Sequence, residues 1–235
     1  MYHRFKPLFA AVLAALLSTQ GLALAADKRQ PDPTATSTEG FLSAHPDLRY
    51  RQSGFAAYQA GDHTRAFSDF KRAAHFADKP SQGMLAEMLW DGVGVEKDRA
   101  LAYAWMDLAA ERYFKVMLIK REVYWEALDE AERERAISVG QALYAQYGDD
   151  VAKSRLERVL HRGRMQTTGS KTGTVGTGKI EFQTPSGPIS IDATSYYHPD
   201  YWEPERYWAW QDKHWKEPPT SEVKVGPLET SDTKD

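Results

Sequence analysis

The chain has no cysteine among its 235 residues. This absence excludes disulfide bonds, thiolate metal sites and the lipid anchor of bacterial lipoproteins, which is attached to a cysteine at the cleavage point. The motifs GxSxG and HExxH, which are typical of serine hydrolases and zinc proteases, are also absent. We therefore expect a protein that is not an enzyme and that uses no cofactor or metal. Its stability has to come from an apolar core.

A strong net charge and a second long apolar run are missing as well. The formal net charge is −3, with 30 Lys and Arg residues against 33 Asp and Glu residues. A mildly acidic chain does not favour binding to nucleic acid. After residue 25 no segment is apolar enough to cross a membrane. We expect no nucleic-acid partner and no stable membrane insertion of the processed chain.

Residues 1–25 have the pattern of a secretory signal peptide. Arg4 and Lys6 make a positive start, residues 8–17 form an apolar core, and Ala23-Leu24-Ala25 matches a small-x-small cleavage site. The apolar core is too short to span the roughly 30 Å of a bilayer as a helix. We expect cleavage at this site and a periplasmic or secreted protein. An uncleaved membrane anchor is the alternative.

Composition divides the rest of the chain into five segments. Residues 26–44 are rich in Pro, Thr and Ser and are predicted to be a flexible linker. Residues 45–164 have a helical pattern, and residues 165–178 read as a second linker of Gly and Thr. Residues 179–216 combine a predicted β-hairpin with an aromatic segment. Residues 217–235 are polar and are predicted to be disordered.

Apolar periodicity predicts three helix pairs and a final helix in the helical segment. When the chain is shifted by about 35 residues, Phe70 falls on Trp105 and Ala74 on Ala109, which indicates an internal repeat. Small residues let two helices approach closely, and aromatic rings fill the space beside them. The predicted helices cover residues 48–60, 64–76, 81–90, 98–113, 115–127, 129–147 and 149–161.

The second helix pair carries a longer motif, QxxLxxMxxxGxGVxxDxxxAxxWxxxAA, from Gln82 to Ala110. Its spacing resembles the Sel-one-like repeat, a branch of the tetratricopeptide-like α/α solenoids. The first pair has Gly61-Asp62 in place of the longer glycine loop and is more similar to an ordinary tetratricopeptide unit. The resemblance implies an all-α fold, a short α/α superhelical repeat array. The residues after it add a small C-terminal β-hairpin and an aromatic-rich tail.

The motif residues also have a physical interpretation of their own, and it is structural. We expect a left-handed glycine to end the first helix of the pair, and an aspartate to begin the second. The tryptophan is placed to be the largest core residue. Solenoids stack through such positions and bind through their variable surface. The predicted structural set is Gly92, Gly94, Asp98, Ala102, Trp105 and Ala109.

The resemblance further implies a function, because proteins with this repeat resemble adaptors that help to assemble complexes. We therefore expect a non-enzymatic periplasmic scaffold that binds a protein or a peptide. Aromatic residues outside the best stacking positions are the predicted partner contacts. These residues are Tyr58, Trp90 and Tyr103.

Aromatic residues are dense between residues 194 and 216. One interpretation is that these rings cap the open end of the array, where apolar surface would otherwise meet water. The alternative is a platform for a cell-wall polymer or polysaccharide, since flat rings stack on the apolar faces of sugars. His198, Asp200 and His214 share the segment, but their spacing matches no compact metal site. The platform would consist of Trp202, Trp208, Trp210 and Trp215.

The last helix of the array has a basic end. Cations near a helix C-terminus interact favourably with the helix dipole, which is the plain interpretation. The alternative is a patch that recognises anions, such as wall polymers or lipid headgroups. The residues concerned are Lys153, Arg155, Arg158, Arg162 and Arg164.

Overall fold

The computed structural model describes residues 30–165, 178–184 and 187–216. The predicted signal peptide (1–25), most of the second predicted linker and the predicted disordered tail (217–235) lie outside these residues. Short 3-10 helices cover Pro33–Ser37 and Ala110–Arg112, and the strands are β1 Lys179–Thr184 and β2 Gly187–Asp192. The helices are α1 Glu39–Ala44, α2 Pro46–Gln59, α3 His63–Ala74, α4 Lys79–Asp91, α5 Arg99–Ala109, α6 Lys115–Ala127, α7 Glu130–Tyr147, α8 Asp149–Met165, α9 Ala193–Tyr196, α10 Pro199–Trp202 and α11 Pro204–Lys216.

Helices α2 and α3 form the first pair, and a close contact between Gly54 and Phe70 sets their distance. Gly61, with a φ of 79°, makes the turn between them. Asp62 caps α3 by accepting a hydrogen bond from the N–H of Arg65 at 3.1 Å. A Cβ atom on Gly54 would lie 2.7 Å from the ring of Phe70, which is fully buried. The glycine therefore lets α2 lie directly against the aromatic ring.

The glycine loop between α4 and α5 has the left-handed conformations that the motif requires. Gly92 and Gly94 have φ values of 75° and 71°. A Cβ atom on Gly94 would overlap the Cβ of His63, so the loop packs tightly on the start of α3. Asp98 caps α5 by accepting a hydrogen bond from the N–H of Leu101 at 2.9 Å. The loop thus joins one helix pair to the next.

The third pair departs from simple pairing, because α7 packs chiefly on α5. A Cβ atom on Gly140 would lie 3.9 Å from the Cβ of Ala104, which is an ordinary van der Waals contact. The ring of Trp105, which is buried, packs against Tyr147 with ring centroids 4.8 Å apart. Ala102 and Ala109 beside it are fully buried. Small residues and one large ring therefore hold α5 and α7 together.

Residues 33–44 correct the prediction of a flexible linker up to residue 44. They form a 3-10 helix and α1, and Phe41 of α1 is fully buried. Its ring stacks on His45 at 3.7 Å and meets Tyr201 edge-on at 5.2 Å. A polar composition predicts disorder when a segment has no apolar partner. Here the partner is the aromatic C-terminal segment, which lies far away in the sequence.

The aromatic segment forms the three helices α9, α10 and α11 and packs against the rest of the chain. Tyr207 of α11 is fully buried, and Trp208 packs in the same cluster as Leu156 and Leu160 of α8. Trp202 of α10 packs with Phe41 of α1. The rings thus fold back on the helices; that they close the open end of the array stays a prediction. The predicted all-α repeat array with a small C-terminal β-hairpin and an aromatic-rich tail is confirmed by this arrangement.

Buried ion pairs fix the last helices on the array. Arg112 donates to Asp149 at 2.7 Å and to Asp212 of α11 at 3.3 Å, and its guanidinium lies 4.8 Å from the ring of Trp208. Lys79, which is fully buried, lies 3.1 Å from Asp149. Burial favours the neutral acid, yet the hydrogen bonds and charge of Arg112 hold the pKa of Asp149 well below its usual range. The network ties α4, α8 and α11 together.

Candidate binding groove

A surface groove passes over α1, α2, α3 and α8 to the β-hairpin. It consists of an α2–α3 depression of about 620 Å³, a middle depression of about 390 Å³ and a hairpin depression of about 470 Å³. Arg49, Tyr50 and Arg72 line both the α2–α3 and the middle depressions. Ser43 and Val159 line both the middle and the hairpin depressions. Because neighbouring depressions share lining residues, they lie side by side, and we refer to the row of three as the groove.

Three arginines line the α2–α3 depression. Arg65 and Arg72 project from α3 two helical turns apart, on the same face, and Arg49 projects from α2. Their side chains are 66%, 60% and 50% exposed, in that order. The guanidinium of Arg72 lies 5.5 Å from the centre of the Tyr50 ring, which is a cation–π contact.

One buried carboxylate forms ion pairs with two of these arginines. Asp69 accepts a hydrogen bond from the Ser53 hydroxyl at 2.7 Å and lies 3.6 Å from Arg65 and 3.4 Å from Arg72. Since one negative charge faces two positive charges, this pair of arginines keeps a positive excess. Asp62 also lines the depression, where it is engaged as the cap of α3. The exposed guanidinium groups retain donors for an anion.

The middle depression is more apolar. Pro46, Tyr50 and Phe76 form much of its lining, and His75 lies beside them. Burial and the neighbouring guanidinium of Arg155 lower the pKa of His75. This lowering favours the neutral imidazole, so this part of the groove combines flat rings with the guanidinium groups of Arg49 and Arg72.

The hairpin depression combines aromatic rings with one arginine. Gly163 brings its two walls together, because a Cβ atom there would lie 2.7 Å from the Cβ of Ala44 and 3.1 Å from the ring of Trp202. Arg162, on α8, is exposed at the rim. The apolar lining comes from Val159, Ile180, Phe182, Tyr196, Tyr197 and Trp202.

The aromatic residues predicted as partner contacts lie elsewhere. Tyr58 packs against the core of the first helix pair. Trp90 stacks on Tyr124 at 3.9 Å, and Tyr103 packs on Trp125 at 4.9 Å. All three predicted residues are half-buried, and none of them lines the groove. Their role in partner binding stays a prediction.

The four tryptophans of the predicted sugar platform do not share an exposed surface. Trp202 and Trp208 are only 4% and 8% exposed. Their indole N–H groups donate to the carbonyl of Tyr196 at 2.7 Å and to Glu157 at 3.2 Å. Trp210 is half-buried, and Trp215 is 38% exposed. A buried ring offers no face for a sugar, so the platform as predicted is wrong for Trp202 and Trp208.

The groove offers groups for binding: guanidinium donors, hydroxyls and aromatic faces. The part of the chain that the structure describes holds no cluster of three His, Asp or Glu side chains placed for a metal ion. In that same part, none of the helices combines the length and the apolar character needed to cross a membrane.

Comparison with known proteins gives a solved structure that is similar to part of the chain. No protein-family model matches the chain, and no curated protein does. The fold is similar to the crystal structure of a protective antigen of uropathogenic Escherichia coli strains that displays an SLR (Sel-one-like repeat) fold. Sequence identity is 22% and the TM-score is 0.43, over 57% of this chain and 27% of the antigen. The chain thus spans about a quarter of that protein's length.

Sequence reasoning missed the arginines of the α2–α3 depression. Their signal was weak: Arg65 and Arg72 share one face of a helix, but charged residues on a helix usually mark a solvated surface. Arg49 belongs to another helix, and only the packing of α2 on α3 brings it to the same depression. An anion-recognising patch is one of the two sequence interpretations of the basic end of α8, and Arg162 from that set lines the groove.

Proposed function

We propose that this protein is a non-enzymatic scaffold that holds an extended acidic segment of a partner protein in its surface groove. The observation that carries the proposal is the sharing of Asp69 by Arg65 and Arg72. Two exposed cations with one carboxylate between them favour an anionic ligand. Their position in a row of three adjoining depressions favours a chain-like ligand over a small one.

The charge of the groove contrasts with that of the whole chain, which supports the same proposal. Arg49, Arg65, Arg72 and Arg162 line the groove together with Asp62 and Asp69, and Arg49 lies 3.4 Å from the Glu39 carboxylate, so four positive charges stand against three negative ones. The chain as a whole has a formal net charge of −3. A positive groove on a mildly acidic protein steers an acidic segment to one place on the surface.

The proposal includes the predicted location outside the cytoplasm, which rests on the signal-peptide pattern of residues 1–25. The wall-polymer alternative is weaker, because Trp202 and Trp208 have no exposed face to offer a sugar.

Selection from a library of random displayed peptides tests the proposal. The wild-type chain should enrich peptides rich in Asp and Glu with interspersed apolar residues. The variant Arg65→Glu with Arg72→Glu should not enrich them. A matched control, Lys71→Glu with Lys115→Glu, changes the net charge equally at exposed lysines outside the groove. It should select the same peptides as the wild type. Enrichment of the same peptides by the groove variant would contradict the proposal.

A further inference from the structure

The two outer edges of the β-hairpin present different backbone N–H and C=O groups. The register of the strands determines which groups each edge presents. Thr184 pairs with Gly187 across a two-residue turn, and Gln183 pairs with Pro188. In such a hairpin the residues that flank the turn exchange hydrogen bonds, and every second pair along the strands does the same. The N–H of Ala193 donates to the carbonyl of Gly178 at 2.8 Å, which continues this alternation at the other end.

The alternation leaves the backbone groups of Glu181 and Gln183 pointing outward from β1. Their cross-strand partners on β2, Ser190 and Pro188, point outward on the opposite edge. Pro188 has no N–H, so the edge of β2 lacks a donor and is protected against a further strand. Within the described residues, no hydrogen bond engages the outward groups of Glu181 or Gln183. Among the described residues, the edge of β1 is therefore the open one.

The open edge borders the groove. Ile180 and Phe182 of β1 line the hairpin depression, whereas Ile189 and Ile191 of β2 do not. Ile191 is instead buried against the core. A strand added to β1 would therefore lie in the hairpin depression, with every second side chain beside Ile180 and Phe182. Arg162 stands at the rim of the same depression.

We propose that β1 takes an extended segment of a partner protein as a third strand, with apolar residues at the alternate positions that face the hairpin depression. This inference rests on the proposed function and specifies how the ligand is held. Unpaired N–H and C=O groups at every second residue are best satisfied by another extended backbone. Apolar side chains suit the ring-lined depression. The residues between them lie on the face of Glu181 and Gln183, so acidic residues meet the exposed arginines only where the segment continues beyond β1.

An acetylated peptide of about 16 residues that alternates Val and Glu is the probe, since it spans about 50 Å when extended. In the proposed pairing, the Glu nitrogens point to β1 and the Val nitrogens point away. N-methylation of the Glu residues should weaken binding about tenfold or more, because each removed hydrogen bond contributes a factor of several. N-methylation of the Val residues should leave the affinity within about threefold.

Variants of one cross-strand pair give the matching test on the protein side. Glu181→Pro removes an outward N–H from β1, and Ser190→Pro removes one from β2. Only the first should weaken the probe, and Glu181→Gln, which keeps the N–H, should not. The two N-methylated peptides provide a test that does not depend on the folding of either proline variant.

The outcomes separate this inference from the proposed function. If the probe binds and depends on Arg65 and Arg72, but binds equally with either N-methylation pattern, the groove binds peptides and strand addition is wrong. If the probe does not bind the wild type at all, both proposals fail. Analytical sedimentation measures whether the chain forms a dimer through the same edge. If the wild type is a dimer and Glu181→Pro is a monomer, the edge of β1 binds a second copy of the chain. That result would overturn the assignment to a partner peptide.

Discussion

The Tyr207 hydroxyl donates a hydrogen bond of 2.5 Å to the Asp47 carboxylate, although the two residues are 160 positions apart. Gln211 donates to the same carboxylate oxygen at 3.0 Å. The other oxygen of Asp47 is buried without a hydrogen-bond partner among the described residues. Through this contact α11 holds the start of α2, the helix that contributes Arg49 and Tyr50 to the groove. The C-terminal segment therefore supports one wall of the candidate site.

Removal of the Tyr207 hydroxyl tests this link. Tyr207→Phe leaves the buried Asp47 carboxylate with one donor fewer, so the free energy of unfolding should fall by about 1–3 kcal/mol. Urea unfolding at pH 7 measures the change. Tyr113→Phe is the control, because Tyr113 is 79% exposed and its change should stay within about 0.5 kcal/mol. Equal effects of the two substitutions would show that the contact contributes nothing.

The pH dependence of the free energy of unfolding should reveal the raised pKa of Asp47. Burial, together with the nearby Asp78 carboxylate, raises its pKa to about 6 from an ordinary value of 3.8. The folded state therefore binds a proton between pH 6 and pH 4 that the unfolded state does not bind. Stability should rise, relative to Asp47→Asn, by up to about 3 kcal/mol as the pH falls through this window.

The comparison with Asp47→Asn is needed because His45 acts in the opposite direction. Burial lowers the pKa of His45 to about 4, so this group lowers stability as the pH falls below its unfolded value of 6.5. Its contribution is the same in both chains and cancels in the difference. Parallel stability curves for the wild type and Asp47→Asn between pH 4 and pH 7 would show that Asp47 is ionised normally.

Two helical glycines should respond oppositely to alanine. In Gly54→Ala the new Cβ lies 2.7 Å from the buried Phe70 ring, and overpacking of this kind costs about 1–3 kcal/mol. In Gly140→Ala the nearest contact is an ordinary 3.9 Å, and the better helix propensity of alanine should stabilise the fold by up to about 1 kcal/mol. Thermal unfolding of both variants measures the signs. Stabilisation by Gly54→Ala would mean that α2 and α3 are not packed as described.

Wall fragments should leave the tryptophan fluorescence unchanged. Trp202 and Trp208 are buried, so a soluble glycan has no access to their faces. Titration with soluble peptidoglycan fragments measures this directly. A saturable blue shift that Trp215→Ala abolishes would support wall-polymer binding at the exposed tryptophan instead.

The helix bounds were largely predictable because their signals are local. The predicted helix over 115–127 coincides with α6, and caps such as Asp62 and Asp98 mark where α3 and α5 begin. Gly92 ends α4 in the left-handed conformation that its place in the motif indicated. A cap or a left-handed glycine acts within one turn of helix, so it is visible in the sequence.

The contacts between distant segments were not predictable in the same way. Nothing near Phe41 in the sequence indicates that it is buried, because its partners include Tyr201 and Trp202. The groove has the same origin: Arg49 and Arg65 meet at one depression through the packing of α2 on α3, and Val159 joins them through the return of α8. Such contacts depend on three-dimensional packing rather than on local propensity.

Reversing the charge of the groove and the charge of the ligand tests the central claim most directly. Dissociation constants are measured by fluorescence anisotropy for labelled peptides that alternate Val with Glu or Val with Lys. Each peptide is titrated with the wild-type chain and with Arg65→Glu combined with Arg72→Glu. The wild type should bind the Glu peptide and reject the Lys peptide, and the variant should reverse this preference. If the wild type binds both peptides equally, or if the variant keeps the preference of the wild type, the groove is not the site of an acidic ligand.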